Sequence, residues 1–244
     1  MKSTGANVKV CTLLGNDSLK NYVLENLKKK NILVSAIIDP VRPTTNKNSI
    51  IAEDYRMIKI DTLDNQPISK NIIEKFKKFI KNDKSDCVVF SDFRHGIFHR
   101  KSIPQLVNAI PKGKFKVADS QVATRWGNIN DFKNFDLITP TEKEARFSLA
   151  DQDSNLSRLT EQLKKENRYS NLILKLGKMG IFCVGNKIGN KIKDDDDHIA
   201  FALSSFVEKV VDPVGAGDAL LAYSTLAFLE TKSLYIAGIL GSLA

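Results

Sequence analysis

No stretch of this chain stays apolar for the roughly 20 residues that a membrane-spanning helix needs. The opening Met1-Lys-Ser-Thr-Gly-Ala has no apolar core behind its charge, so neither a spanning helix nor a secretory leader is expected. Cysteine is scarce, with only Cys11, Cys87 and Cys183. An odd, widely spaced set offers neither a disulfide framework nor a zinc site. Each cysteine falls in an apolar run, so buried reduced thiols and a cytoplasmic setting are expected. An RNA-binding signature is also missing. The formal charge is +9, but the lysines form small helical clusters such as Lys28-Lys29-Lys30 and Lys77-Lys78. That distribution suits a solvated surface or a phosphorylated substrate, and a nucleic-acid partner is not expected.

What the chain does contain is an ordinary balance of 42% hydrophobic and 27% charged residues, which argues against disorder. Its 244 residues suffice for one large α/β domain. Short β-type runs alternate with helical ones. Strands are expected at residues 8–14, 34–38, 49–53, 56–62, 87–91, 115–118, 137–139, 172–176, 181–184, 199–203 and 208–211. Helices are expected at 18–29, 69–80, 101–110, 142–149, 156–166, 216–229 and 234–243. Such alternation predicts a three-layer α/β/α fold with a mainly parallel sheet. Residues 34–62 read as strand after strand without a helix, hence a small projecting β-flap. The run Asp194-Asp-Asp-Asp197 reads as a solvated turn.

The most informative segment is Asp212-Pro-Val-Gly-Ala-Gly-Asp218, expected between a buried strand and a long apolar helix. Glycines at such a junction let the backbone approach a ligand, and the first turn of a helix favours an anion. Asp218 falls in that turn. It either complements the helix dipole or takes a proton from a hydroxyl that attacks a bound phosphate.

This segment matches at every position the C-terminal signature of the ribokinase (phosphofructokinase-B) family of carbohydrate kinases, and the chain is identified as resembling that family. The resemblance implies Asp218 as catalytic base and Gly215, Ala216 and Gly217 as the backbone that steadies the transferred phosphoryl group. It implies ATP and Mg2+ as cofactors and a sugar or sugar phosphate as acceptor, with Asp212 opening the loop.

Thr139-Pro140-Thr141-Glu142-Lys143-Glu144 is similar to the family's Thr-Pro-Asn-x-x-Glu. By that likeness Thr141 and Glu144 serve the nucleotide, with Glu144 acting on the metal through water; Thr141 replaces the family's asparagine. Glu144 alone also reads as a charge that complements a helix dipole. Leu174-Lys175-Leu-Gly177-Lys-Met-Gly180 resembles the hairpin that borders the nucleotide, which marks Lys175, Gly177 and Gly180.

Ser91-Asp92-Phe-Arg94-His95-Gly96 resembles a segment of the heptose-phosphate kinase branch and marks Asp92, Arg94 and His95 for substrate. His95 reads equally as a structural histidine. Arg42-Pro-Thr-Thr-Asn-Lys47, followed by Asp54-Tyr-Arg56, resembles that branch's flap. Lys47 and Arg56 are then phosphate contacts or solvated flap charges, and the flap is a candidate homodimer contact. Asp119 ends a strand, but the Asp-Pro-Lys segment of that branch is not reproduced after it.

The family's opening strand and sugar-binding helix have no counterpart here, and residues 238–244 read as the start of an unfinished helix pair. The expectation is one kinase domain over residues 1–244, incomplete at both ends. A catalytically silent nucleotide- or sugar-binding homologue is the alternative.

Overall fold

The computed structural model describes residues 1–244 apart from Asp54, 122–128, 187–197, Glu208, Val211 and the Arg56 side chain. The acidic run at 194–197 therefore lies outside the described residues, as does Asp54 of the flap. The chain divides into two compact units. One is Met1–Asp83 with His95–Ala109, and the other is Lys84–Arg94 with Ile110–Ala244.

The first unit starts from a parallel pair, β1 (Lys9–Gly15) and β2 (Leu33–Asp39), joined by α1 (Ser18–Lys29). Asp17 caps α1 by accepting from Lys20 N–H at 3.1 Å. Its second oxygen accepts from Thr44 N–H at 2.7 Å, and Gly15 N–H donates to Thr44 Oγ1 at 2.9 Å. These bonds tie residues 42–44 to the end of β1, and they depress the Asp17 carboxyl, chiefly through Thr44. Gly15 is required at this approach, since a Cβ there would lie 2.5 Å from Thr44 N. Arg42 completes the junction through ion pairs to Asp39 at 3.3 Å and Asp64 at 3.6 Å.

The flap is an antiparallel ribbon, β3 (Asn46–Ala52) and β4 (Tyr55–Thr62), which among the described residues pairs only within itself. Its first strand begins three residues earlier than the apolar pattern suggested, because Asn46, Lys47 and Asn48 pair with Thr62, Asp61 and Ile60, and the flap is narrower than 34–62 because β2 pairs with β1. α2 (Lys70–Lys81), capped by Ser69, buries Ile72, Ile73, Phe76 and Ile80 on one face, and α3 (Ser102–Asn108) packs against it.

The second unit is built on a six-stranded sheet of order β10-β9-β8-β7-β6-β5. β5 (Cys87–Asp92), β6 (Phe115–Ser120), β7 (Leu137–Ile138) and β8 (Asn171–Lys175) run parallel. β9 (Ile181–Asn186) and β10 (His198–Leu203) extend the sheet antiparallel. The connecting helices are α4 (Glu142–Leu149) and α5 (Leu156–Asn167), with α6 (Ala216–Thr231) and α7 (Leu234–Leu243) closing the chain.

One core cluster joins Val117, Leu137, Ile173, Ile181 and Cys183 of the sheet to Leu220, Leu221, Ala227, Leu234 and Ala237 of α6 and α7. Phe90, Phe132 and Phe135 form an aromatic group, with Phe132 and Phe135 centroids 5.8 Å apart in an edge-on arrangement. Buried Asn167 donates to the carbonyls of Ile129 at 2.7 Å and Phe132 at 2.9 Å, which fixes the chain leading into β7.

Three expectations need correction. Of the strand expected at 208–211, Lys209 and Val210 are described and stand in no strand, and the other two positions lie outside the described residues. Val210 is 46% exposed and Val214 is 72% exposed, so this apolar run lacks the packing that a buried strand requires. The helix expected at 101–110 is shorter and spans Ser102–Asn108. Finally, the cysteines are not uniformly buried. Cys183 is buried and Cys87 half-buried, with the Cys87 thiol pushed up to about 12 by burial. Cys11 is exposed, on the same side of β1 as exposed Lys9.

Candidate active site

Residues at the carboxyl ends of the parallel strands form the polar edge of the second unit. Open α/β sheets place ligands at this edge. Asp92 ends β5, Asp119 and Ser120 end β6, Thr139 follows β7 and Lys175 ends β8. The parallel register sets Asp92 beside Ser120 and Ser91 beside Asp119.

Asp92 is buried, and its carboxylate is used within the protein. It accepts from Arg94 N–H at 2.8 Å, from the Arg94 guanidinium at 2.8 Å and from Ser120 Oγ at 2.9 Å. Arg94 itself adopts a left-handed backbone, φ 63°. Asp92 thus orients Arg94, so the arginine is the better placed of the two to meet an anion. In the first unit, His95 Nδ1 lies 3.3 Å from Asn65 Oδ1. Lys47 is exposed on β3, opposite Asp61, while Arg56 lies on β4.

Asp119 and Lys175 form a second charged contact at this edge. Lys175 Nζ lies 3.0 and 3.2 Å from the two Asp119 oxygens, and the side chains are 14% and 5% exposed. Burial raises the Asp119 carboxyl, the Lys175 ammonium opposes this, and Glu144 adds repulsion. Asp119 is the residue that motif reasoning left without a role. Its only signal was an acidic residue closing a buried strand, and its partner is 56 positions away.

The α4 N-terminus borders the same place, since Thr141 bridges to Lys175 and Lys175 N–H donates to Pro140 O at 2.9 Å. Thr141 and Glu144 form a reciprocal capping box. Thr141 Oγ1 accepts from Glu144 N–H at 3.2 Å, and Glu144 Oε2 accepts from Thr141 N–H at 2.7 Å. Both residues therefore have a structural task. The hairpin that follows carries Gly177 at φ 62° and Gly180 at φ 98°. A Cβ at Gly180 would lie 2.1 Å from Leu203 O, whereas one at Gly177 would meet nothing within 4 Å. Gly180 is demanded by close packing on the end of β10.

α6 starts at Gly215, its N-cap at φ 88°, with no side chain capping it. Asp212 Oδ1 accepts from Val214 N–H at 2.9 Å, which shapes the turn before the helix. Ala216 N–H donates to Pro213 O at 3.2 Å, so it is engaged by the turn and is not one of the donors expected for a phosphate. A Cβ at Gly215 would meet nothing within 4 Å, and one at Gly217 would meet only the Lys175 side chain, with Nζ at 3.4 Å. Asp218 is exposed in the first turn of α6.

The described residues include no group of three or more His, Cys, Asp or Glu side chains able to hold a metal ion. Mg2+ carried in on nucleotide phosphates and their waters needs only one or two carboxylates nearby. Glu144 and Asp119 are carboxylates at this edge, alongside Asp92. No described helix is long and apolar enough to cross a membrane.

A three-layer α/β/α fold, a mainly parallel sheet and a Gly-Ala-Gly-Asp helix start define a carbohydrate kinase of the ribokinase-like class. The family model described as "pfkB family carbohydrate kinase" matches residues 1–244, and the chain belongs to that family. It is 26% identical over 239 residues to the bifunctional protein HldE of Helicobacter acinonychis (strain Sheeba), covering 95% of this chain and 48% of that one. It is 27% identical over 237 residues to the bifunctional protein HldE of Sulfurimonas denitrificans, covering 94% of this chain and 46% of that one. The chain thus spans about half the length of the curated relatives it matches.

Among solved structures, the tetrameric inhibited form of phosphofructokinase-2 from Escherichia coli aligns with TM-score 0.79 at 16% identity, over 99% of this chain and 76% of that one. Ribokinase from Giardia lamblia aligns with TM-score 0.67 at 15% identity, over 96% of this chain and 70% of that one.

Proposed function

We propose that this carbohydrate kinase transfers the γ-phosphoryl group of ATP to a hydroxyl of a sugar or sugar phosphate, with a heptose 7-phosphate as the candidate acceptor. The observation that carries the reading is the uncapped start of α6, with Asp218 in its first turn and Gly217 of that turn next to Lys175. The acceptor oxygen attacks the γ-phosphorus, its proton passes to Asp218 and the bond to the ADP oxygen breaks. Gly215 and Gly217 let the phosphate approach the backbone, and the N–H groups of the first turn favour its charge. Mg2+, when bound, neutralises charge on the nucleotide phosphates. Thr141, Glu144, Lys175, Gly177, Gly180 and Asp212 line or shape the nucleotide side. Asp92 works through Arg94 on the acceptor side.

The heptose assignment rests on the HldE relatives, at identities of 26–27%. The experiment is turnover of ATP against a panel of sugars and sugar phosphates, with Asp218→Asn alongside. Turnover with one acceptor, reduced about 10²–10⁴-fold by the substitution, supports the reading. Nucleotide binding without turnover on any acceptor would establish the silent binding homologue instead.

The flap suggests a homodimer. Ile50, Ile51, Met57 and Ile58 are 50–63% exposed on a two-stranded ribbon. An isolated ribbon of this size is marginally stable in water, and a second copy would cover it. Ile58→Glu is expected to shift a dimer to monomer in analytical ultracentrifugation, and a native chain that sediments as a monomer removes the idea. The reaction is assigned to the cytoplasm, where ATP is supplied.

A further inference from the structure

We propose that Lys175 is the protein's own cation for the nucleotide's terminal phosphates, and that Asp119 is the positioning residue that holds it against Gly217. The inference rests on the kinase reading and adds a role for each member of the pair. Lys175 closes β8 and Asp119 closes β6, with β7 between them, so the sheet brings the two together across one strand. The ammonium has three donor positions. Two contacts run to the Asp119 oxygens, at 3.0 and 3.2 Å. The first turn of α6 also comes close, since a Cβ on Gly217 would stand 3.4 Å from Nζ and 4.0 Å from Cδ. A phosphate seated over Gly217 therefore meets an ammonium as well as the helix start. The two share one sign of partial charge, and their effects on an anion add.

Asp119 is what makes such a lysine workable. A half-dry ammonium without a counter-ion loses its proton readily or swings out to water on its flexible stem. With Asp119 it is fixed by two contacts, because the carboxylate is itself buried and has strong reason to keep its partner. The pair is neutral in sum, so it can persist before the nucleotide arrives. Glycine at 217 then has a second meaning, since any side chain there would intrude between the lysine and the ligand.

The test is calorimetric binding of ADP and of adenosine to the native chain and to three variants. Lys175→Met combined with Asp119→Asn removes both charges and leaves no unpaired ion. It is expected to bind adenosine as the native chain does and ADP at least tenfold more weakly. Lys175→Arg, which keeps the charge, should stay within about threefold of native for ADP. Asp119→Asn alone should lower kcat at least tenfold with KM for ATP nearly unchanged, because the ammonium survives but loses its position. Equal ADP affinity in the double variant would reduce the pair to a structural bridge, and native kcat in Asp119→Asn would remove the positioning role.

A measurement on the native chain guards against misfolded variants. Limited acetylation read by mass spectrometry should show Lys175 protected by ADP and not by adenosine, and equal labelling in both overturns the inference. If the native chain binds neither ADP nor adenosine, the kinase reading itself falls, and that result is distinct from all the others.

Discussion

Two helix starts border Lys175, and they are built in opposite ways. α4 closes its N-terminus with its own residues, through the reciprocal Thr141–Glu144 box. α6 begins at a left-handed glycine with no side-chain cap, although it is the longest helix at 16 residues. Asp17, Ser69, Asn155 and Ser233 cap α1, α2, α5 and α7, and among the other described α-helices only the seven-residue α3 shares the uncapped start. A helix whose first-turn donors are satisfied internally has little left for a ligand, and one left open has donors to give. The contrast separates a helix that frames the site from a helix that works in it.

The comparison can be broken first at Asp218. Asp218→Asn is nearly isosteric and leaves the start of α6 uncapped, so melting temperature should hold while kcat falls about 10²–10⁴-fold. A loss of folding without a change in kcat per folded molecule would make Asp218 a dipole partner only.

The next test sets two glycines against each other. Gly180→Ala meets Leu203 O at 2.1 Å in a backbone with φ 98°, so a cost of about 3 kcal/mol or more is expected in denaturant unfolding. Gly217→Ala meets only the lysine, at 3.4 Å, in a helical turn that favours alanine. Its stability should be unchanged or raised by about 0.5–1 kcal/mol, while turnover drops about tenfold. Equal stability losses at the two positions would mean that both loops are packing devices.

Much of this was legible in the sequence because local chemistry decided it. The 216–229 apolar stretch and the Gly-Ala-Gly-Asp string that opens it at 215–218 mark α6 and its start without long-range information. Helices α1, α4 and α7 fall on their expected bounds, since each has a capping residue and an apolar stripe in its own segment. What the sequence hid depends on pairing at a distance. The Asp119–Lys175 contact joins residues 56 apart and no spacing rule reaches it. The apolar residues near 210 looked like a buried strand because composition cannot say whether a neighbouring strand exists to pair with. Asp92 read as a ligand contact because an acid at a strand end looks the same whether it faces substrate or, as here, Arg94 and Ser120.

The mildest test concerns the closed helix start. Thr141→Ala deletes the acceptor for Glu144 N–H and should cost about 1 kcal/mol. In a chain of this size that is a fall of about 2–4 °C in melting temperature. Thr141→Asn restores a capping side chain, so it should recover that loss. If α4 only frames the site, neither change moves the Mg2+ concentration needed for half-maximal turnover. If instead the asparagine variant needs several-fold less Mg2+ than the native chain, position 141 acts on the metal's water shell, and the start of α4 belongs to the working site alongside α6.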